Sequence, residues 1–482
     1  AAIFVSGIGG TFQYGFCVSV MTSPSVFIKR LVNQTCLQRY SVSLDQWQIS
    51  LIWSFTVSIF CIGGLLGSLV AGPLISKYGR LVKQCLLLNN FVAIFGALLM
   101  LLSQKATSFE MIMVGRLLYG INSGVSLSAH TMYLVECAPK RLRGMVGVTV
   151  ATFISLGKFS GQLLGISELL GTEDRWPWLL GFNGFTALLQ LASLPFLPES
   201  PSFLLLDRGD RQACDKALKT LWGDKDYSAE VEEMMKEKAA LQNVHSHSVM
   251  ELFQNQTVRW QLLTIFVTFT TLQLCGINAV YFYSFDVFRA AGIQEQQLRY
   301  AALGTGLCEL TTSVACVSPN SLISHHVLHL FYGLLQPNRS FYFPQTHVSW
   351  MPYCSMVLIF IFIFFFASGP AGVTAPLPGE ILTQSFKSAG YTIACSLNWT
   401  GLFVLGMIFP VLVENLNYFC FLIFLVFCAI CGLYVRFNVP ETKNRTALEI
   451  AAEFERMHCK SRESMTKSTE EKSVMGTCET KF

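Results

Sequence analysis

The chain has 482 residues, of which 52% are hydrophobic and only 13% charged, with a formal net charge of +4 and a mean hydropathy of +0.47. Soluble domains carry about 25% charged residues, so this composition excludes an ordinary soluble protein and implies a polytopic membrane protein whose first partner is the lipid bilayer. No basic stripe with interleaved aromatics occurs, which leaves no support for a nucleic-acid partner. Most of the 16 Cys sit in apolar runs and no CxxC with metal spacing is present, so neither disulfides, nor a metal, nor another cofactor is expected.

Eleven apolar runs approach the roughly 20 residues needed to cross the hydrocarbon core: 1–21, 49–72, 84–103, 110–133, 145–165, 178–197, 261–284, 300–317, 353–379, 389–413 and 418–437. The chain opens inside the first run without Met, which reads as a start truncated within the protein and not as a signal peptide. Asn33-Gln34-Thr35 then forms an N-glycosylation acceptor in the first outer loop. Lys77, Arg80 and Lys83 after the second run, and Lys140, Arg141 and Arg143 after the fourth, have no acid among them, so these loops should be cytoplasmic. The polar block 198–260, rich in helix formers from Asp207 to Leu241, and the tail from 440 fall on the same side.

That parity requires an even number of spans, so a twelfth must fall within 318–352. This stretch is poorly suited to it: it holds His325, His326, His329 and His347 and the prolines Pro319, Pro337 and Pro344, and its best apolar run, Val327 to Leu335, is interrupted by His329. An alternative exon or mistaken gene model explains it better than a histidine metal site. The expected organisation is an N-terminal half (1–197), a cytoplasmic linker (198–260), a C-terminal half (261–439, with 318–348 anomalous) and a tail (440–482).

Two short patterns recur at nearly half the chain length. Glu136 precedes Arg143 by seven residues, as Glu380 precedes Lys387, at an offset of 244; Pro198-Glu199-Ser200-Pro201 returns as Pro440-Glu441-Thr442-Lys443, at an offset of 242. Two copies of one six-helix unit follow. Carboxylates and cations at the cytoplasmic ends of two such units can bridge helices in one state and part when the units rock. Exposed pairs contribute only about 0–1 kcal/mol each, so several together bias an equilibrium without freezing it; alternatively, they mark helix ends and orientation alone. Lys387 lacks the bidentate fork of an arginine, so the second pair should hold more loosely.

In order along the chain stand Gly79-Arg80, Gly115-Arg116, Tyr133-x-x-Glu136-x-x-Pro139-x-x-x-Arg143-Gly144, Pro198-Glu199-Ser200-Pro201, Gln273-x-x-Gly276-Ile277-Asn278-Ala279-Val280, Gly369-Pro370, Asn398-Trp399 and Pro440-Glu441-Thr442-Lys443. With these motifs the chain resembles the facilitative sugar transporters of the major facilitator superfamily, solute carrier family 2, over nearly its whole length outside 318–348. It looks most like the class II, fructose and urate branch, because Phe269-Thr270-Thr271 replaces the glucose branch's Gln-Leu-Ser and Ala375 its Trp. The resemblance implies an all-α membrane fold of two six-helix halves with twelve helices, the ninth atypical. It adds Arg80, Arg116, Glu199 and Glu441 to the latch residues.

For the substrate, the resemblance implies Gln273, Asn278, Tyr283, Phe366, Asn398 and Trp399, whose amides and aromatic faces suit a sugar's hydroxyls and C–H surface. An Asn or Gln in a span also serves simply to bond a neighbouring helix. Ala151, Leu272 and Ala367 stand where family ligands are absent, which puts glucose-branch recognition in doubt.

Lys158 in the fifth run and Glu309 in the eighth are charges inside apolar segments. Facing lipid either would cost at least a few kcal/mol, so both should point inward. In the fold that the resemblance implies both positions border the central cavity, where they would pair and set substrate choice; the alternative is that Lys158 snorkels outward or Glu309 only binds a backbone group. An unpaired Lys158 would favour an anion such as urate. Residues 1–21 contain no acid, which favours uniport over proton coupling. No nucleophile elbow or phosphate loop suggests an enzyme. The expected activity is facilitative transport of fructose or glucose by alternating access at the plasma membrane, with N-terminus and tail cytoplasmic and no obligate protein partner. The alternatives are a urate or anion uniporter, a proton-coupled symporter, or a transport-defective variant.

Overall fold

In a computed structural model of the chain, the structure describes residues 2–77, 82–138, 143–206, 208–223, 227–228, 231–232, 234–236, 248–316, 351–368, 374, 376–383, 385–416, 419–440 and 449–457. Gly79-Arg80, the 318–348 segment, Gly369-Pro370 and Glu441 lie outside the described residues.

Among the described residues, each of the eleven apolar runs contains helix. The first run is broken into α1 (Ala2–Ile8) and α2 (Thr11–Ser19), and is followed by α3 (Ser25–Tyr40), a helix in place of the expected outer loop. Four helices follow in order, α4 (Gln46–Lys77), α5 (Val82–Leu102), α6 (Phe109–Cys137) and α7 (Arg143–Leu164), and α8 (Trp176–Ser193) completes the first half. The linker forms α9 (Pro201–Leu206), α10 (Arg211–Trp222) and α11 (Val249–Gln254). The second half begins with another broken run, α12 (Arg259–Leu274) and α13 (Ile277–Phe282), then α14 (Ser284–Ala290) and α15 (Leu298–Cys316). It ends with α16 (Met351–Ser368), α17 (Leu377–Ile381), α18 (Lys387–Leu416) and α19 (Cys420–Asn438). Among the described residues, five stretches are long and apolar enough to cross a membrane unaided: 46–71, 83–102, 176–196, 256–282 and 387–416.

In a bilayer, helices associate by close packing and hydrogen bonding, not by burying apolar surface from water. The clearest case is α4 on α6. A Cβ at Gly63 or Gly67 would come within 2.1 and 2.3 Å of the Leu117 and Ile121 carbonyl oxygens, and one at Gly120 or Gly124 within 2.1 and 2.3 Å of those of Phe60 and Gly64. The two backbones therefore touch, which only hydrogen in place of a side chain permits. One hydrophobic cluster then spans both halves, with Phe16, Phe60 and Trp176 from the first and Tyr281, Phe366, Trp399 and Phe409 from the second.

The linker reads as soluble helix. Asp210 caps α10 by accepting from the Ala213 amide at 2.9 Å, and Gly223 ends it at φ 86°. Trp222 donates its indole N–H to the Cys137 carbonyl at 2.9 Å, fastening α10 to the end of α6.

The breaks in the first helix of each half are the feature that positions the site. In the first half the helix stops at Gly9-Gly10. In the second, Gly276 adopts φ 84° between α12 and α13, and a Cβ there would lie 2.4 Å from the Phe424 ring. Discontinuous helices at corresponding places in two repeats are where transporters present backbone and amides to a substrate.

Gly276→Ala should therefore lower the melting temperature of the purified protein and its yield, because it adds a ring clash to a left-handed backbone strain of roughly 1–2 kcal/mol. Gly209→Ala, at φ 71° with nothing within 4 Å, should shift melting less. Equal shifts for the two variants would show that the Phe424 contact is immaterial.

Candidate substrate site and latches

The break at Gly276 places two amides of one run against a third from α18. Asn278 donates to the Gln273 carbonyl oxygen at 2.8 Å, and Gln273 donates to the Asn398 carbonyl oxygen at 2.6 Å. On an unbroken helix, residues five apart share only a broad face; the turn at Gly276 makes Asn278 and Gln273 neighbours. The chain leaves the Asn278 carbonyl oxygen at one end and the Asn398 amide nitrogen at the other, an acceptor and a donor of the kind sugar hydroxyls need.

Trp399, next to Asn398, lies in the seam between the halves. Its indole N–H donates to Ser68 at 2.8 Å, its ring lies where a Cβ on Gly64 would sit 2.2 Å away, and it meets Tyr14 and Phe60 edge-on at 5.7 and 5.8 Å. Phe366 is buried in the same cluster. Tyr283 is placed differently from the expectation of a substrate contact: its hydroxyl donates to the Gly406 carbonyl at 2.6 Å and its ring stacks on Phe409 at 5.5 Å. These contacts make Tyr283 a brace of α13 against α18.

Lys158 and Glu309 pair as their positions require. Lys158 Nζ donates to both carboxylate oxygens of Glu309, at 2.9 and 3.0 Å, with the two side chains only 7% and 8% exposed. The ammonium also lies 4.1 Å from the centre of the Tyr281 ring, and Ser155 donates to Glu309 at 3.2 Å. The pair joins α7 of the first half to α15 of the second and is the middle rung of a ladder. Gln162 donates to Thr305 at 3.0 Å on one side, and Ser155 meets Ser313 at 2.9 Å on the other. Tyr281 is one turn along α13 from Asn278, so pair and amide chain share a helix face.

The sequence reading missed Ser155, Gln162, Thr305, Ser313 and Tyr281. The signal was present: polar residues at 155, 158 and 162, and at 305, 309 and 313, recur at helical spacing inside two apolar runs.

Hydrogen bonds between the halves run from the face opposite the basic loops toward mid-helix. Ser50 donates to Glu414 at 3.2 Å, Tyr300 to Glu168 at 3.4 Å and Thr22 to the Tyr281 carbonyl at 2.9 Å. At the basic-loop face, the described hydrogen bonds of the first half include contacts to the start of the linker. Glu136 accepts from Ser200 at 2.5 Å, and Tyr133 donates to the Pro198 carbonyl at 2.8 Å. Lys83 donates to the Pro195 carbonyl at 3.1 Å, and Glu199 is half-buried with Oε1 lacking a hydrogen-bond partner among the described residues. Burial holds the Glu199 carboxyl above its usual range, against the opposing pull of the Ser200 amide, Lys83 and Arg208.

Glu380 is exposed and Lys387 half-buried, and they form no ion pair with each other among the described residues. The side chain of Arg143, with Arg80 and Glu441, lies outside the described residues. Arg116, expected among the latch residues, lies away from the basic-loop face and is buried. It sits seven residues into α6 from the end opposite the basic loops and is 1% exposed. Its guanidinium donates to the Cys17 and Val57 carbonyls at 2.7 and 2.9 Å and covers the Phe60 ring at 4.6 Å. In this conformation it ties α6 to the backbones of α2 and α4. Asn33 is exposed on α3, while Thr35 of the same acceptor is buried and bonded to the Leu31 and Thr107 carbonyls.

Two broken helices in equivalent places, a seam of polar rungs between halves and an amide chain at one break define a multi-pass membrane transporter of the major facilitator fold. The family model described as sugar (and other) transporter matches residues 2–454, and the chain belongs to that family. It is 41% identical over 461 residues to the mouse protein "Solute carrier family 2, facilitated glucose transporter member 9", covering 94% of this chain and 85% of the relative. It is also 41% identical over 461 residues to human "Solute carrier family 2, facilitated glucose transporter member 11", covering 95% and 92%. Among solved structures, the inward-open xylose transporter XylE from E. coli superposes with a TM-score of 0.74 at 18% identity, covering 93% of this chain and 98% of that one; at that identity the likeness shows the fold.

Two predictions follow from this geometry. Lys158→Met should strongly lower the melting temperature, since removing one partner of a buried pair costs about 3–5 kcal/mol, while Lys158→Met/Glu309→Met recovers most of the loss in a double-mutant cycle; additive losses would mean that the pair is not coupled. Glu199→Gln removes a group whose raised native pKa favours its protonated form. In the wild type that group's contribution to stability declines as pH rises above the ordinary 4.5. The variant should therefore melt at an equal or higher temperature at neutral pH, the difference vanishing below 4.5; a lower melting temperature at neutral pH would show that the carboxylate makes a net stabilising ionic contact.

Proposed function

We propose that this protein is a carrier and not an enzyme: a facilitative hexose uniporter, for fructose or glucose, that works by alternating access at the plasma membrane. The observation that carries this reading is the Asn278–Gln273–Asn398 amide chain at the break in α12/α13, beside the Trp399 seam. It offers directional donors and acceptors to hydroxyls without a net charge, because the one ionic pair nearby is internally neutralised. Each net hydrogen bond contributes roughly 0.5–1.5 kcal/mol, so a few give the weak binding that fast release needs.

Uniport is supported by the absence of an acid in residues 1–21 and by Arg116 being held on backbone carbonyls. The contacts at the face opposite the basic loops close one entrance, and the latch residues at the other end are candidates for closing the second. With the basic loops cytoplasmic, the N-terminus and tail face the cytoplasm and Asn33 faces outward, where it accepts a glycan.

Uptake of each labelled hexose into proteoliposomes, with and without an imposed proton gradient, tests the reading. Uptake of fructose or glucose that ignores the gradient supports it; accumulation driven by the gradient indicates symport, and no uptake indicates a non-transporting chain. In the active case, Gln273→Ala should weaken apparent affinity about 2- to 10-fold, and an effect confined to maximal rate would move Gln273 out of the binding site.

A further inference from the structure

The groups around Glu309 form an anion cradle that the protein fills itself. Lys158 Nζ approaches both carboxylate oxygens at 2.9 and 3.0 Å, and the Ser155 hydroxyl donates to one of them at 3.2 Å. The Tyr281 ring covers the ammonium at 4.1 Å. A cation, a hydroxyl donor and an aromatic wall, all buried, are what a free carboxylate or another planar organic anion would require. The cradle lies between the two halves, and its Tyr281 wall is one helical turn from Asn278 of the amide chain.

We propose that Glu309 is an internal anion that determines substrate class: by occupying the Lys158 cradle it keeps the carrier selective for uncharged substrates, and its removal converts the cradle into a site for small organic anions. The inference deepens the hexose reading and rests on it. A buried ammonium without its carboxylate either sheds its proton or takes another anion, and an anion small enough to occupy the space of the Glu309 carboxylate meets Lys158, Ser155 and Tyr281 between the two halves. The native ion pair is thus a specificity element as well as a joint between halves.

The test uses the full chain. Glu309→Ala shortens the side chain and leaves room for a free carboxylate. Its melting temperature should be lower than the wild type's and should rise saturably with propionate or urate, but not with matching sodium chloride, because a ligand that binds only the native state stabilises it. Neither wild type nor Lys158→Met/Glu309→Ala should show that rise. In proteoliposomes, labelled urate or propionate should enter with Glu309→Ala and not with the wild type.

A Glu309→Ala protein that is monodisperse yet neither stabilised nor permeated by either anion overturns the inference. So does a rise of equal size in the Lys158→Met/Glu309→Ala protein. Should Glu309→Ala fail to fold, the wild type still decides: urate should not inhibit hexose uptake, and competitive inhibition at concentrations comparable with the hexose's own half-saturation overturns the proposal. Absence of hexose uptake by the wild type sinks the hexose reading, whereas hexose uptake with no anion gain in the variant sinks this inference alone.

Discussion

Two opposite charges buried between helices of different halves set the terms for the rest of this structure. Inside a bilayer neither Lys158 nor Glu309 is tolerable alone, so α7 and α15 must lie side by side in the one register that joins them. That register also aligns Gln162 with Thr305 and Ser155 with Ser313. A neutral seam could slide by a residue at small cost; an ionic one with hydroxyl rungs on either side cannot. Gly157 lets the opposite face of α7 press on α2, where a Cβ would come 2.1 Å from the Phe12 carbonyl oxygen, so one helix couples the broken first span to the second half.

The second seam, α4 against α18, is built differently. It relies on shape: Trp399 fills the space over Gly64 and bonds Ser68, and a Cβ on Gly406 would meet Ser58 Oγ at 2.4 Å. One seam is thus ionic and the other steric. A carrier whose halves rock needs interfaces that have more than one arrangement. The Gln162, Lys158 and Ser155 rungs lie in the ionic seam, whereas α4 and α18 are joined by the close approaches at Gly64 and Gly406 together with the Trp399–Ser68 and Ser50–Glu414 hydrogen bonds.

The helix breaks connect architecture to chemistry. A continuous seventh run would have separated Gln273 from Asn278 around the helix and left each amide to find a partner elsewhere. The left-handed turn at Gly276 puts them in one chain that reaches Asn398 on α18. The same turn redirects α13 so that Tyr281 covers Lys158 and the Tyr283 hydroxyl reaches the Gly406 carbonyl. One glycine therefore orients the amide chain, the cover of the ion pair and the brace of the helix.

Much of this was legible from the chain alone. Apolar run length determined the eleven helical runs, since a bilayer leaves helix as the way to satisfy the backbone. The scarcity of charge within those runs made Lys158 and Glu309 conspicuous enough to be paired in advance. Sequence could not distinguish residues of the same type in different surroundings. Tyr283 and Tyr281 are two positions apart, yet one braces a carbonyl and the other covers an ammonium. Arg116 and the latch cations look alike in a motif, yet Arg116 is fixed by two carbonyls deep in the bundle. Which partner a polar group meets depends on backbone breaks and on close approaches between helices distant in sequence. Periodicity within one run carries no information about those, and only the tertiary structure decided them.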